Sequence, residues 1–397
     1  MIIALSLPVF LGGAALAIDT IQWSLATRQM QRQADSGAIA GAFALAQGRN
    51  VTSNVNSDLA RNNFVTLTVT PVIENAPTVG PKAGNAKAVR VVVATTMKLP
   101  FSGMFIRGMP LSAEATAQVV GQGEYCVIAL DNGNTTAIKM SGSTSLDLNC
   151  GLMSNSVSAT AAITAGGSST IKASPIAAVG GVPASSNYLP PVSLFPYAVP
   201  AQDPFAALPD PLSTIGNGSA LNVAPNGTKS IGPGTYKSVD IKGTLNMSPG
   251  VYYINGGSFS ANSQATIIGT GVVIILTSST AATNPSSIAT ADINGSANIQ
   301  LTAPTSGTYA GVLMYQDRRA LDSGTNKVNG NSTSILQGAL YFPKQELEFT
   351  GTTGMQTNCL QMVAKRMTFI GNSSVSNVCP PNSGAASIPG TVIRLVA

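Results

Sequence analysis

From Cys126 onward the sequence breaks into short apolar runs separated by Gly, Ser and Asn, and one such phrase repeats. TAIKMSGSTSLDLNC (136–150) and AAITAGGSSTIKASP (161–175) superpose at an offset of 25 residues. Ile138 then falls on Ile163, Gly142 on Gly167, Ser143 on Ser168 and Leu146 on Ile171. GPGTY (232–236) returns as SPGVY (248–252) and is echoed by GTGVV (269–273). Self-similarity at short periods, with turn residues at the corners, lets one supersecondary unit stack on the next, each rung burying a few aliphatic side chains. Residues 123–397 are therefore expected to form a right-handed parallel β-helix-like solenoid. Short strands punctuated by turns also suit a β-sandwich, which stays open as the alternative.

Composition narrows the chemistry. The 397 residues include no His, which removes His-based metal sites, Ser-His catalysis and an imidazole proton shuttle. Only 9% are charged and the net charge of +5 is spread thinly, without the basic run that a nucleic acid requires. Val, Ile and Thr recur through the Gly-, Ser- and Asn-rich second half, so ordered β-structure is expected rather than disorder. No cofactor, metal or catalytic residue is assigned. Cys126, Cys150, Cys359 and Cys379 fall as two pairs, 24 and 20 residues apart, without the close spacing of zinc ligands. In an exported protein they read as disulfides. Cysteines about one rung apart would lie vertically adjacent, which favours Cys126–Cys150 and Cys359–Cys379 among three possible connectivities.

The other constraining stretch is 1–48. No charge occurs from Met1 to Ile18, and helix-favouring sequence continues past Asp19 and Trp23 without a cleavage-site pattern. About 20 apolar residues on a helix can cross a bilayer, so this stretch is expected to be a retained transmembrane, pilin-like helix. Ile18, Ile21, Leu25, Ile39 and Phe43 share one face; Met30, Ala34, Gly37, Ala38, Gly41 and Leu45 share another. Gly37 and Gly41 form a small-xxx-small pair that admits either a second helix or the chain's own next domain. Asp19 is a candidate for pairing with a neighbouring subunit. Arg28 and Arg32 follow the span, which opposes export under the positive-inside rule. The cysteines outweigh that signal, and a short basic segment ahead of Met1 is expected.

Residues 49–122 read as a small α+β domain: FVTLTVTPVI and KAVRVVVATTMKL alternate as strands do, LPFSGMFIRGMP is a short helix or loop, and LSAEATAQVV is another strand. In 180–215 eight prolines forbid regular strands. Phe195, Tyr197, Phe205 and Leu208 are too apolar for a free linker and are expected to pin it against the solenoid. The chain closes on a strand, TVIRLVA.

An enzyme on a β-helix needs acids and a base or Arg gathered on one face. Asp317, Arg318, Arg319 and Asp322 are the candidates, and Glu346 and Glu348 share a face. A solvated loop salt bridge after the buried strand VLMY, and a polar strand face for the two glutamates, are the favoured explanations. No phosphate-binding Gly loop or calcium repeat is present.

Residues 4–46 resemble the N-terminal region of TadG-like proteins of the Tad (Flp) pilus system. The matching residues are Gly12 to Ala17, Asp19, Trp23, Arg28, Gln31, Ala34, Asp35 and Ala40-Gly41-Ala42, with Ser36 and Gly37 where alanines are usual. YAGVLMYQDRRA, GALYFPKQELEFTG and the closing cysteine pair look like the long non-enzymatic C-terminal region of one group of these proteins. The DxSxS metal motif of the relatives carrying a von Willebrand A domain is missing. The resemblance implies an inner-membrane-anchored envelope protein whose exported β-domain serves pilus assembly or adhesion. Its partners would be other single-span or pilin-like subunits, met through Asp19, Trp23, Arg28, Asp35, Gly37 and Gly41. A free-standing adhesin for a glycan or host surface, and a polysaccharide lyase or hydrolase, are the alternatives.

Overall fold

The computed structural model describes residues 2–211, 215–351, 355–371, 374–377 and 388–396. The chain is mainly β with a long N-terminal helix, and it forms two compact units: Met1–Gly121 with Thr391–Ala397, and Gln122–Gly390. The opening helix and the residues up to 121 thus belong to one unit, to which the end of the chain returns.

In the first unit α1 (Ile2–Ala46) and α2 (Val51–Arg61) lie with three antiparallel strands, β1 (Val69–Asn75), β2 (Ala88–Met97) and β3 (Met109–Ala129), the last continuing past the unit boundary. Asn50 caps α2, its side chain accepting from the Ser53 N–H at 2.8 Å, which satisfies an otherwise unpaired donor of the first turn. α1 buries Ala26, Met30, Ala34, Ala38 and Ala42, one residue about every turn. They meet Val55 and Leu59 of α2, Val89, Val91 and Val93 of β2, and the inward Leu111, Ala113, Ala115 and Ala117 of β3. Alanine and glycine on the helix allow this close approach. A Cβ on Gly41 would stand 2.7 Å from Val89 and 2.9 Å from Val55.

The transmembrane reading of 1–48 is not borne out. Among the described residues no helix is long and apolar enough to cross a membrane. From Ala26 onward the apolar face of α1 is spent on the unit's own sheet.

In the second unit every ladder among the described residues is parallel, which the sandwich alternative does not allow. Three ladders run side by side. One passes through Gly234–Ile241, Gly250–Asn255, Val272–Thr277 and Val312–Gln316. A second passes through Ser258–Ala261, Thr290–Ile293 and Thr325–Val328. The third passes through Thr228–Ile231, Thr244–Met247, Thr266–Thr270 and Asn298–Thr302. The long strand Ile335–Gly351 pairs with all three in succession, joining them into one sheet that closes on itself. Inside lie Ile241, Leu245, Phe259, Ile267, Ile274, Leu340, Phe349 and Phe369.

Spatial order departs from chain order. Met355–Gly371 pairs on one side with Ile335–Gly351 and on the other with the start of the unit: Met362 faces Val127, and Met367 faces Ile138. The first tier of strands is therefore sandwiched between the last tier and its own successor. That successor pairs Ile138 with Ile163 and Leu146 with Ile171, the register of the sequence repeat. Gly371, Gly142 and Gly167 stack at one corner with φ of 83°, 78° and 65°, where any side chain is strained. In the other repeat the register slips: Gly234 faces Tyr252 rather than Gly250.

The Pro-rich segment links the two halves. Leu194–Phe195 pairs with Ile176–Ala178, and the chain then crosses the tiers: Ala201 exchanges two 2.8 Å hydrogen bonds with the Asn155 side chain, and Asn255 donates to the Gly216 carbonyl at 3.0 Å. Phe195, Phe205 and Leu208 cover an outer apolar layer of Ile128, Met153, Ile275, Tyr315, Tyr341 and Val363. Tyr197 is exposed and does not join them.

Cys126 and Cys150 form a disulfide, which points to an extracytoplasmic location. Cys359 is also disulfide-bonded; its expected partner, Cys379, lies outside the described residues.

Candidate functional site

Three arrangements compete for a role. The first surrounds Asp317, which is fully buried at the end of the strand Val312–Gln316. Arg319 closes back on it, with Nε donating to Oδ1 at 2.8 Å and Nη2 to Oδ2 at 2.5 Å, while Thr277 Oγ1 donates to Oδ2 at 2.6 Å. Arg319 also donates to the Pro211 carbonyl at 2.9 Å. Arg318 turns the other way: it donates to Tyr341 Oη at 2.9 Å, to the Leu208 carbonyl at 2.8 Å, to Asp210 at 3.0 Å, and to the Phe205 carbonyl. Its guanidinium lies over the rings of Tyr315 and Tyr341 at 5.4 and 5.5 Å. Tyr341 in turn donates to Asp203 at 2.5 Å. Burial opposes the charge of Arg318, but its bonds to Tyr341 and Asp210 outweigh that and raise its pKa. Burial pushes the Tyr341 hydroxyl up as well, with Asp203 adding to the shift. Both arginines are thus tied to the Pro-rich strap.

Asp322 lies elsewhere, paired with Lys365 at 2.6 Å and with Arg366, which also holds Asp131 at 2.7 Å. Glu346 accepts from Thr368, and Glu348 lies 3.9 Å from Lys327. The acids and arginines singled out in the sequence do not converge on one open cleft. Among the described residues no group of three His, Cys, Asp or Glu side chains is placed to hold a metal.

The second arrangement is an open furrow of about 520 Å³ on the second ladder, lined by Asp240, Ser260, Asp292, Lys327 and Glu348 with the turn residues Asn262, Asn294 and Asn329. Asp240, Ser260, Asp292, Lys327 and Glu348 occupy consecutive tiers in one register. Polar groups repeating at the spacing of adjacent strands, about 4.8 Å, can engage an extended polar chain. The sequence gives each residue but not the register, because tier lengths vary.

The third lies in the first unit. Asp19, only 5% exposed, accepts from the backbone N–H groups of Ser102 at 2.6 Å and Phe101 at 3.2 Å. It thereby fastens the loop between β2 and β3 to α1. The helix flank beside it forms with that loop a groove of about 280 Å³ lined by Leu16, Asp19, Thr20, Trp23, Leu99, Ser102 and Met109. Leu16, Ile18, Ile21, Trp23 and Leu25 are exposed on the helix, and Phe101, Met104, Phe105 and Ile106 on the loop.

The residues expected to serve helix assembly therefore divide. Asp19, Gly37 and Gly41 act inside the unit, Gly37 against Leu59, Val91 and Val55. Asp35 accepts from Gln31 at 2.8 Å. Trp23 and Arg28 remain exposed. The sequence places a short helix or loop here but assigns its tip no role, although the four large apolar residues among Phe101–Ile106 are a signal for one. Compared with known proteins, the chain matches no family model, no curated protein and no solved structure.

Proposed function

We propose that this chain is an exported, non-enzymatic component of a Tad (Flp) pilus system, working in the bacterial cell envelope. The first unit would sit among pilin-like or single-span assembly subunits, and the second would be displayed for pilus assembly or surface attachment. The observation that carries this reading is the uncovered helix stripe of Ile18, Ile21 and Leu25, which by helical spacing lies opposite the flank that meets the loop. A stripe left apolar on a helix that packs its own unit only from Ala26 onward supports docking by a second helix. The resemblance over residues 4–46, the disulfide, and the commitment of Arg318 and Arg319 to the strap point the same way. Three continuous parallel ladders support reading the second unit as a right-handed parallel β-helix, a stiff and durable spacer.

Electron microscopy of cells with and without the gene tests this: loss of thin bundled filaments is expected, and unchanged filaments with unchanged surface attachment count against it. A second reading, a surface adhesin for an extended glycan, is favoured by the polar furrow from Asp240 to Glu348. Binding of purified protein to immobilised polysaccharides, lost in Asp292→Ala with Lys327→Ala, would support it.

A further inference from the structure

Phe101, Met104, Phe105 and Ile106 crowd a turn around the short 3₁₀ helix Ser102–Met104, and Met104 and Phe105 are 79% and 89% exposed. Lys98 and Arg107 flank them and are exposed. The acid beside them, Asp19, is turned inward onto two loop amides. Trp23 and Leu16 on the adjoining helix flank extend the same apolar surface.

Charge is partitioned in the same sense. The first unit holds ten of the 21 basic residues but only five of the 16 acids. It therefore carries the whole net charge of +5, and the second unit is neutral. Apolar and aromatic side chains bounded by Lys and Arg match the headgroup region of an anionic bilayer, where the rings reach the acyl boundary and the cations meet phosphates.

We infer that the loop 98–107, held to α1 by Asp19, inserts into the interface of an anionic lipid bilayer, with Trp23 at its margin. The loop docks on the membrane surface and does not span it. The inference rests on the proposed envelope role only in needing a membrane at hand.

Trp23 is the single tryptophan of the chain and reports the event directly. Purified full-length protein is mixed with vesicles of phosphatidylcholine alone or of phosphatidylcholine with phosphatidylglycerol. The protein should float with the anionic vesicles, with a blue shift of Trp23 emission that salt weakens. Met104→Ser with Phe105→Ser, at exposed positions that leave the fold intact, should weaken flotation by roughly tenfold or more. Lys98→Gln with Arg107→Gln should reduce binding to the level on phosphatidylcholine alone. Absence of flotation overturns the inference, as does flotation unchanged in the Met104/Phe105 variant. A Trp23 shift that follows protein concentration without lipid overturns it too, since a second copy would then cover the patch. Vesicle binding involves no filament, so its failure leaves the pilus reading to be judged by microscopy.

Discussion

Arg366 donates to Asp131 at 2.7 Å although 235 residues of sequence separate them. The pair bridges the chain's last tier to its first. Asp131 also accepts from the Gly133 N–H at 2.9 Å, and Arg366 reaches on to Asp322.

Acid should loosen this seam. Burial opposes the charges of Asp131 and Asp322, but their bonds from Arg366 more than offset it and hold both pKa values below the ordinary aspartate range. A lowered folded-state pKa stabilises fully above the unfolded value, about 3.9, and that stabilisation is lost as pH falls through the folded value. Arg366→Ala should cost about 1–3 kcal/mol at neutral pH, and the denaturation midpoints of variant and wild type should converge as the pH is lowered through that range.

Arg318→Ala should free the strap. The substitution removes the guanidinium bonds to Asp210, Tyr341 and the Leu208 and Phe205 carbonyls, at a cost of about 2–4 kcal/mol. Limited proteolysis should then cut within 194–211 while the tiers stay folded.

Asp317→Ala tests the enzyme alternative. It leaves Arg319 without its buried partner, so unfolding should shift by roughly 3 kcal/mol or more. Turnover of uronic-acid polymers should be undetectable in wild type and variant alike.

Cys150→Ser opens the Cys126–Cys150 link, which closes a loop of 24 residues. The expected loss is about 3 kcal/mol, confined to the thermal transition of the second unit.

Gly41→Ala forces a methyl against Val89 and Val55, both β-branched and slow to yield. A loss of about 1–3 kcal/mol from the first unit is expected. Gly12→Ala is the control: nothing lies within 4 Å of a Cβ there, and the helix should gain up to about 1 kcal/mol. Thermal melts read both.

The repeat was legible because parallel tiers place like residues over one another, so Ile138 with Ile163 and Gly142 with Gly167 leave a trace in the string. The seam was not, because Met362 and Val127 carry no shared phrase, and nothing local tells a last tier to seek the first. α2 was missed because VTSNVNSDLAR has only Val55 and Leu59 on its buried face; the Asn50 cap was its one clear signal. The alanine and glycine face of α1 reads as a close-approach surface, but small residues serve a neighbouring helix and the chain's own valines alike, so the sequence alone does not choose between them. The arginines of 318–319 could not be assigned before the strap was seen above them, since a loop ion pair and a clamp use the same letters.

The sandwiched position of the first tier sets a schedule. A ribosome delivers residues 126–148 long before 355–377, so one flank of those early strands waits for its neighbour until nearly all the chain has emerged. Completion of this unit is thereby coupled to the synthesis of residues 355–377. A product stopped short of residue 355 would leave that flank bare, an unpaired edge that invites aggregation and degradation.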